Sequence, residues 1–272
     1  MELSILEIMK KTLLYISLIL LFASCEKVVV IDLNDSDPRI VVDGRINQGK
    51  NALYGEAYVQ LHWTASFYET DSINTIKNAQ VKITDKQGNV DKLTHIGHGL
   101  YFNPNISKGQ IGDSFQLEIN VDGKTFHSTS TLTRPVPIDS LTATIDNFGP
   151  HQGDGYTVNC HFTDPAGETN YYYLKIMIDG VYSPGWYITR DDGLDGKAIT
   201  YTFFRNLIEE PSNVQVELYT IDEASFEYFK VLTMMNQGGM STAPGNPPTN
   251  IEGGAIGIFS VRNKDVQTIS VP

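Results

Sequence analysis

The sequence predicts an all-β protein made of two β-sandwiches, an N-terminal one that is immunoglobulin- or transthyretin-like and a C-terminal one that carries one short helix. About ten short segments are rich in β-branched or alternating apolar residues, which is the pattern of strands. Asp-Gly, Gly-Asn, Asn-Pro and Pro-Gly dipeptides separate these segments, and helical periodicity is confined to one place. Many short strands with this spacing favour sandwiches over a barrel enzyme.

The predicted strands begin after Pro38, with residues 39–43. The clearest hairpin has Asp122-Gly123 at its turn, because this dipeptide accepts the positive φ angles of a type I′ turn. The further predicted strands cover residues 56–63, 79–84, 115–121, 124–131, 141–145, 156–162, 171–178, 199–204, 214–221 and 255–261.

A single helix is predicted near residues 222–236. Apolar residues recur there at helical spacing, Asp222 is a suitable N-cap, and Gly238-Gly239 follows the last of them. We interpret its Phe and Met stripe as packing on the second sandwich rather than as a docking face, because so short a helix needs a buried stripe to be stable.

The domain boundary is expected at the segment Arg134-Pro135-Val136-Pro137-Ile138. Prolines at alternate positions favour an extended, semi-rigid connector. The predicted organisation is a signal peptide (1–24), a tether (25–37), a first sandwich (38–134) and a second sandwich (135–272). Each sandwich is large enough to bury a core.

Residues 1–24 are predicted to be a bacterial lipoprotein signal. An apolar run at 12–22 follows two lysines, and it is shorter than the roughly 20 residues that a membrane-spanning helix needs. Ala23 and Ser24 supply the small residues that a signal peptidase requires, and Cys25 supplies the thiol that is lipidated. The protein is therefore expected to be anchored to a membrane of the bacterial envelope through a lipid on Cys25.

Translation is expected to start at Met9 rather than Met1. The segment before it contains Glu2 and Glu7 and no basic residue, whereas Met9 is followed directly by the two lysines that open such a signal.

The charge balance excludes a broad basic binding surface. With 20 basic and 32 acidic side chains, the net charge is −12 at pH 7, so no nucleic acid partner is expected. Once Cys25 carries lipid, Cys160 is left without a disulfide partner, and its place in an alternating strand predicts that it packs in the core.

The sequence contains no motif of a catalytic site, so we predict neither an enzyme nor a cofactor. His95 and His98 lack a third metal ligand nearby, and the acidic turn at 191–196 has Thr202 where a calcium loop needs glutamate. We therefore predict no metal site, although metal binding at either segment stays open.

Four aromatic residues are the candidate binding site for a ligand or partner: Tyr171, Tyr173, Trp186 and Tyr187. Strand alternation predicts that Tyr172 enters the core while Tyr171 and Tyr173 take the other face. The rings of Trp186 and Tyr187 follow in a turn, and exposed aromatic rings are strong anchors. The alternative is that a second sheet covers this face.

Two resemblances extend over the chain. The first sandwich resembles the immunoglobulin-like or transthyretin-like modules of bacterial surface proteins, in residues 79–85, 99–101 and 112–119. Nearly the whole chain resembles a family of Bacteroidota outer-membrane lipoproteins defined by a domain of unknown function (domain of unknown function 4249 type), in the segment ending at Cys25 and in residues 40–44, 135–139, 170–172 and 250–259.

The family resemblance implies an outer-membrane location, TonB-dependent transporters as neighbours and no catalytic residues. Whether the protein lies on the periplasmic or the surface-exposed face of the outer membrane stays open. We therefore expect a lipid-anchored accessory or binding subunit of a TonB-dependent nutrient uptake system. The alternative is a structural or adhesive surface lipoprotein without a role in transport.

Overall fold

The computed structural model describes residues 37–50, 52–65, 74–147, 154–204, 208–236 and 246–271. The predicted signal, Cys25 and nearly all of the tether lie outside the described residues. Residues Asp37–Pro272 form one compact unit. Within the described part of the chain, no helix has the length and apolar character needed to cross a membrane.

The predicted fold class is confirmed: the described chain forms strands throughout and one helix, α1 (Glu223–Asn236). The strands are β1 (Ile40–Gly49), β2 (Gly55–Trp63), β3 (Gln80–Thr84), β4 (Val90–Gly97), β5 (Leu100–Ile106), β6 (Ser114–Val121), β7 (Lys124–Thr131), β8 (Ile138–Asn147), β9 (Asp154–Thr163), β10 (Tyr171–Ile178), β11 (Val181–Tyr182), β12 (Tyr187–Arg190), β13 (Ala198–Thr202), β14 (Ser212–Ile221), β15 (Ile251–Glu252) and β16 (Ile256–Val271).

The strands make one long sheet and one small sheet. In the long sheet the order is β11-β10-β14-β16-β1-β2-β5-β4-β3-β6-β7-β15, and β12 pairs with β10. The small sheet has the order β13-β9-β8. The predicted hairpin is present as β6 and β7, with Asp122 and Gly123 at φ of 50° and 74°.

The hairpin of β4 and β5 was not predicted. Its strands are short of the alternating apolar residues that mark the others, since Leu93 is the only buried residue of β4. Its turn carries three successive positive φ angles, at Gly97, His98 and Gly99. Glycine is needed at the last position because a Cβ there would lie 2.4 Å from the Leu61 carbonyl oxygen.

The first sandwich closes where β1 and β16 face β6. Gly44 of β1 leaves room for this contact, because a Cβ on it would lie 3.1 Å from the Phe259 ring and 3.4 Å from the Leu117 side chain. Val42 and Ile46, which are four residues apart, point into the same core, as the alternation of a half-buried strand requires.

The second sandwich packs the small sheet against β10, β14 and the second half of β16. Cys160 and Phe162 of β9 are fully buried, so the core position predicted for Cys160 is confirmed. The Phe162 ring lies 4.7 Å from that of Tyr172, whose hydroxyl donates to the Asp164 carboxylate. Tyr172 therefore enters the core as its strand phase predicts.

Strand β16 belongs to both sandwiches. Its first part runs parallel to β1, from Ile256 opposite Val41, and its second part runs antiparallel to β14, ending with Val271 opposite Ser212. Residue 251 and residues 255, 259 and 261 pack in the core of the first sandwich. The predicted division into residues 38–134 and 135–272 therefore misplaces this segment: the proline connector marks where the chain leaves the first sandwich but carries no information about its return.

The edge of β16 that faces β7 and β15 is capped by side chains. The Asn250 amide donates to the Phe259 carbonyl at 2.8 Å and accepts from the Phe259 N–H at 2.9 Å. The Ser130 hydroxyl accepts from the Val261 N–H at 2.8 Å. These bonds satisfy buried backbone groups that lack a strand partner on that side.

Candidate binding surface of the second sandwich

Helix α1 is fixed at its first turn by Asp222, as the sequence predicts. One carboxylate oxygen accepts from the Ser225 N–H at 2.9 Å, which is an N-cap bond. The other accepts from the Ser130 hydroxyl of β7 at 2.6 Å. The same side chain therefore starts the helix and ties it to the first sandwich.

The helix covers the outer face of β10. Phe226 packs on Tyr171 with ring centroids 5.0 Å apart, and Phe229 stacks on Tyr173 at 4.8 Å with the planes 4° apart. Tyr173 is only 4% exposed, and burial raises its pKa to about 12. Tyr171 and Tyr173 do lie on the face that alternation predicts, but the exposed binding role predicted for Tyr173 is wrong, because the helix covers it.

Beneath the helix, a buried arginine lies among aromatic rings. The Arg262 guanidinium carbon is 5.2 Å from the Phe229 ring, 5.4 Å from the Tyr173 ring and 5.8 Å from the Tyr219 ring. Its Nε donates to the Ser260 hydroxyl at 3.1 Å. Burial lowers the pKa of Arg262, and the ring faces compensate in part for the lost hydration of the cation.

Next to the rings around Arg262, the buried Glu217 carboxylate joins three strands. It accepts from the Tyr219 hydroxyl at 2.6 Å and from the Tyr182 hydroxyl at 3.0 Å, and it pairs with the Lys264 ammonium at 2.9 Å. Burial alone would raise the pKa of Glu217, but these donors hold it below its ordinary value. The network cross-links β11, β14 and β16 through one buried carboxylate.

An aromatic groove opens beside the helix. It has a volume of about 640 Å³, and its walls include Trp186, Tyr187, Tyr201, Phe204, Thr233 and Asn236. Tyr187 meets Tyr201 edge-on with centroids 6.5 Å apart, and its hydroxyl is 3.0 Å from the Ser183 hydroxyl. Phe204 is 71% exposed. Of the four predicted aromatic residues, the structure thus brings Trp186 and Tyr187 together at a surface.

Sequence reasoning missed Tyr201 and Phe204. The sequence predicts both residues only as part of a strand at 199–204, whereas the observed strand β13 ends at Thr202. The signal that could have found Phe204 is its phase, since Ile199, Tyr201 and Phe203 alternate inward and leave Phe204 on the outer side.

The predicted acidic turn forms a cluster with a third carboxylate. One oxygen each from Asp164, Asp191 and Asp195 lies within 4.8 Å of the others, and the part of the chain that the structure describes has no second such group of three. Asp164 accepts from the Gly196 N–H at 3.1 Å and Asp195 from the Gly167 N–H at 2.7 Å. These bonds hold two loops together, and the absence of a metal stays a prediction.

The two histidines considered as metal ligands also have local roles. His95 Nε2 accepts from the Gly99 N–H at 3.3 Å, and the His98 carbonyl oxygen accepts from the Gln60 amide. Both contacts stabilise the turn between β4 and β5.

Comparison with known proteins identifies a family but no activity. The family model described as "Domain of unknown function (DUF4249)" matches residues 26–268. A search of curated proteins found no significant match. Among solved structures, a two fibronectin type-III domain segment from chicken tenascin is similar, with 8% identity, coverage of 68% of this chain and 91% of that chain, and a TM-score of 0.20. A likeness at this TM-score supports no conclusion about function.

Proposed function

We propose, from the premise that this chain belongs to the DUF4249 family, that it is a lipid-anchored accessory or binding subunit of the bacterial outer membrane, acting beside a TonB-dependent nutrient transporter. The lipoprotein signal that ends at Cys25 supports the anchor. The aromatic groove beside helix α1 supports the binding role.

The groove favours binding over catalysis because of the residues in its walls. The described residues that line the groove supply aromatic rings, hydroxyls and an amide. None of these lining residues is Asp, Glu, His, Cys or Lys. General acid or base catalysis needs a group that changes protonation near the working pH. Burial, followed by the charge of nearby Tyr187, raises the pKa of Tyr201 to about 12, far from that range. This composition is the observation that carries the proposal.

The membrane attachment is tested separately from the binding. Cys25→Ser is expected to abolish labelling with a fatty-acid analogue and to release the protein from membranes, because lipid transfer needs the thiol. Wild-type protein that takes up no label would refute the anchor.

The binding role is tested by affinity capture from outer membranes in mild detergent. Recovery of a TonB-dependent transporter with the wild-type protein is expected, and Trp186→Ala should reduce it, since losing an interface anchor costs about 2 kcal/mol or more, roughly thirtyfold in affinity. Leu53→Ala is the control, because Leu53 is 86% exposed and lies on the first sandwich. Capture without a transporter would favour a structural or adhesive module.

A further inference from the structure

The outer face of the small sheet carries a regular array of polar side chains. Strand register places Ser140, His161 and Thr200 in one row across β8, β9 and β13, and places Thr142, Asn159 and Thr202 in the next. Thr144 continues the array on β8, whereas its partner Thr157 on β9 is buried. We call the seven residues that are not buried the polar array.

Hydrogen bonds between neighbours fix the side chains of the polar array. Thr142 Oγ1 is 2.8 Å from His161 Nε2, and His161 Nδ1 is 3.0 Å from Thr200 Oγ1. Thr202 donates to the Asn159 amide oxygen at 2.6 Å. A hydroxyl that makes one such bond still has capacity to donate or accept another. The array is therefore ordered in advance, which lowers the entropic cost of binding a ligand.

Charge indicates what kind of ligand fits. The polar array has no acidic or lysine side chain, whereas Asp139 and Asp146 lie at the two ends of β8, and the whole chain carries −12. This field disfavours an anionic ligand. A protein partner fits poorly as well, because the centres of protein interfaces depend on aromatic, Met and Arg anchors that the array lacks.

An exposed aromatic ring borders the polar array. Thr200 and Thr202 point outward from β13, and Phe204, two residues further along, is 71% exposed. Thr202 and Phe204 also line the aromatic groove, so the array and the groove form one continuous surface. Neighbouring strands lie about 4.8 Å apart and alternate residues about 6.6 Å apart, so the array extends about 10 Å by 13 Å.

We propose that the polar array, with the Phe204 ring at its edge, binds a neutral polysaccharide. Sugar rings present hydroxyls that both donate and accept, which match the threonine, asparagine and histidine groups, and apolar C–H faces that pack on an aromatic ring such as Phe204. The extent of the polar array allows contact with more than one sugar unit. This inference gives a substrate class to the binding role proposed above and rests on that role.

The test is native affinity electrophoresis of the full mature chain in gels that contain a mixed-linkage β-glucan, dextran, mannan or, as the anionic comparison, alginate. Retardation by at least one neutral polysaccharide and none by alginate is expected. The variants Thr142→Val and Thr200→Val replace an exposed hydroxyl with a methyl group and keep a β-branched residue. Each should weaken binding at least tenfold while the melting temperature stays unchanged, and Phe204→Ala should weaken it similarly.

Thr129→Val is the matched control, because Thr129 is an exposed strand threonine on β7 of the first sandwich, and it should bind as the wild type does. Binding that survives both threonine substitutions on the small sheet, or retardation by alginate alone, would overturn the inference. If no neutral polysaccharide binds while a transporter is still captured, the substrate class is wrong and the accessory role stands. If a polysaccharide binds without a transporter, the substrate class stands and the transport role falls.

Discussion

Tyr173→Ala should strongly destabilise the protein, because it removes a buried ring that holds helix α1 on its sheet. Truncating a buried aromatic residue costs about 3–5 kcal/mol. Here that loss includes the parallel stacking with Phe229 at 4.8 Å, a contact worth about 0.5–1.5 kcal/mol beyond the buried area. It also removes one of the rings around Arg262, at 5.4 Å, where a desolvated cation–π contact contributes about 2 kcal/mol.

The assay is urea unfolding followed by circular dichroism, with a thermal melt as a second measurement. We expect a loss of about 3–5 kcal/mol in the free energy of unfolding and a fall in Tm of about 6–20 °C for a unit of this size. Tyr173→Phe is the control: it keeps the ring and should stay within about 1 kcal/mol of the wild type. If Tyr173→Ala unfolds within about 1 kcal/mol of the wild type, the ring is not a support of the helix and the reasoning about its burial fails.

Three further substitutions or treatments test other parts of the fold. Burial, together with the charges of the Asp265 and Asp139 carboxylates, raises the pKa of Cys160 to about 12. Only about one thiol in ten thousand is then ionised at pH 8, so alkylation of Cys160 should require unfolding. Rapid alkylation in native buffer would contradict this. Asp222→Ala removes the helix N-cap and the bond to β7 and should cost about 2 kcal/mol in urea unfolding, whereas Asp222→Asn, which can still cap, should cost less. The folded state holds the pKa of Glu217 below its ordinary value of 4.5, so its stabilisation is complete above that pH and is lost as pH falls through the folded pKa. Glu217→Gln should therefore flatten the loss of stability between about pH 5 and pH 3, and an unchanged acid profile would show that another carboxylate is responsible.

The elements that the sequence predicts well are those with a local cause. The β6–β7 hairpin follows from the backbone freedom of Asp122-Gly123, and helix α1 begins after an aspartate whose side chain caps it. The alternation that sends Tyr172 inward and Tyr173 outward is likewise a property of one strand. Each of these features depends on residues close together in the chain.

What the sequence does not predict is which elements meet. Strand phase places Tyr173 on the outer face but cannot show that α1, about fifty residues later, packs over it. The groove likewise joins Trp186 from a turn with Phe204 from beyond the end of β13 and Asn236 from the helix. The polar array exists only because the register of three strands aligns threonines that are unremarkable in each strand alone.

The sharing of β16 has a consequence for how the chain is made. Val41 pairs with Ile256, about 215 positions later, so the first sandwich lacks its closing strand until nearly the whole chain has been synthesised. Until then β1 has one hydrogen-bonding edge unpaired, which is a target for other strands and for proteases. A truncation that removes residues 256–271 would therefore take a strand from both sandwiches, so the two sandwiches are expected to fold together or not at all.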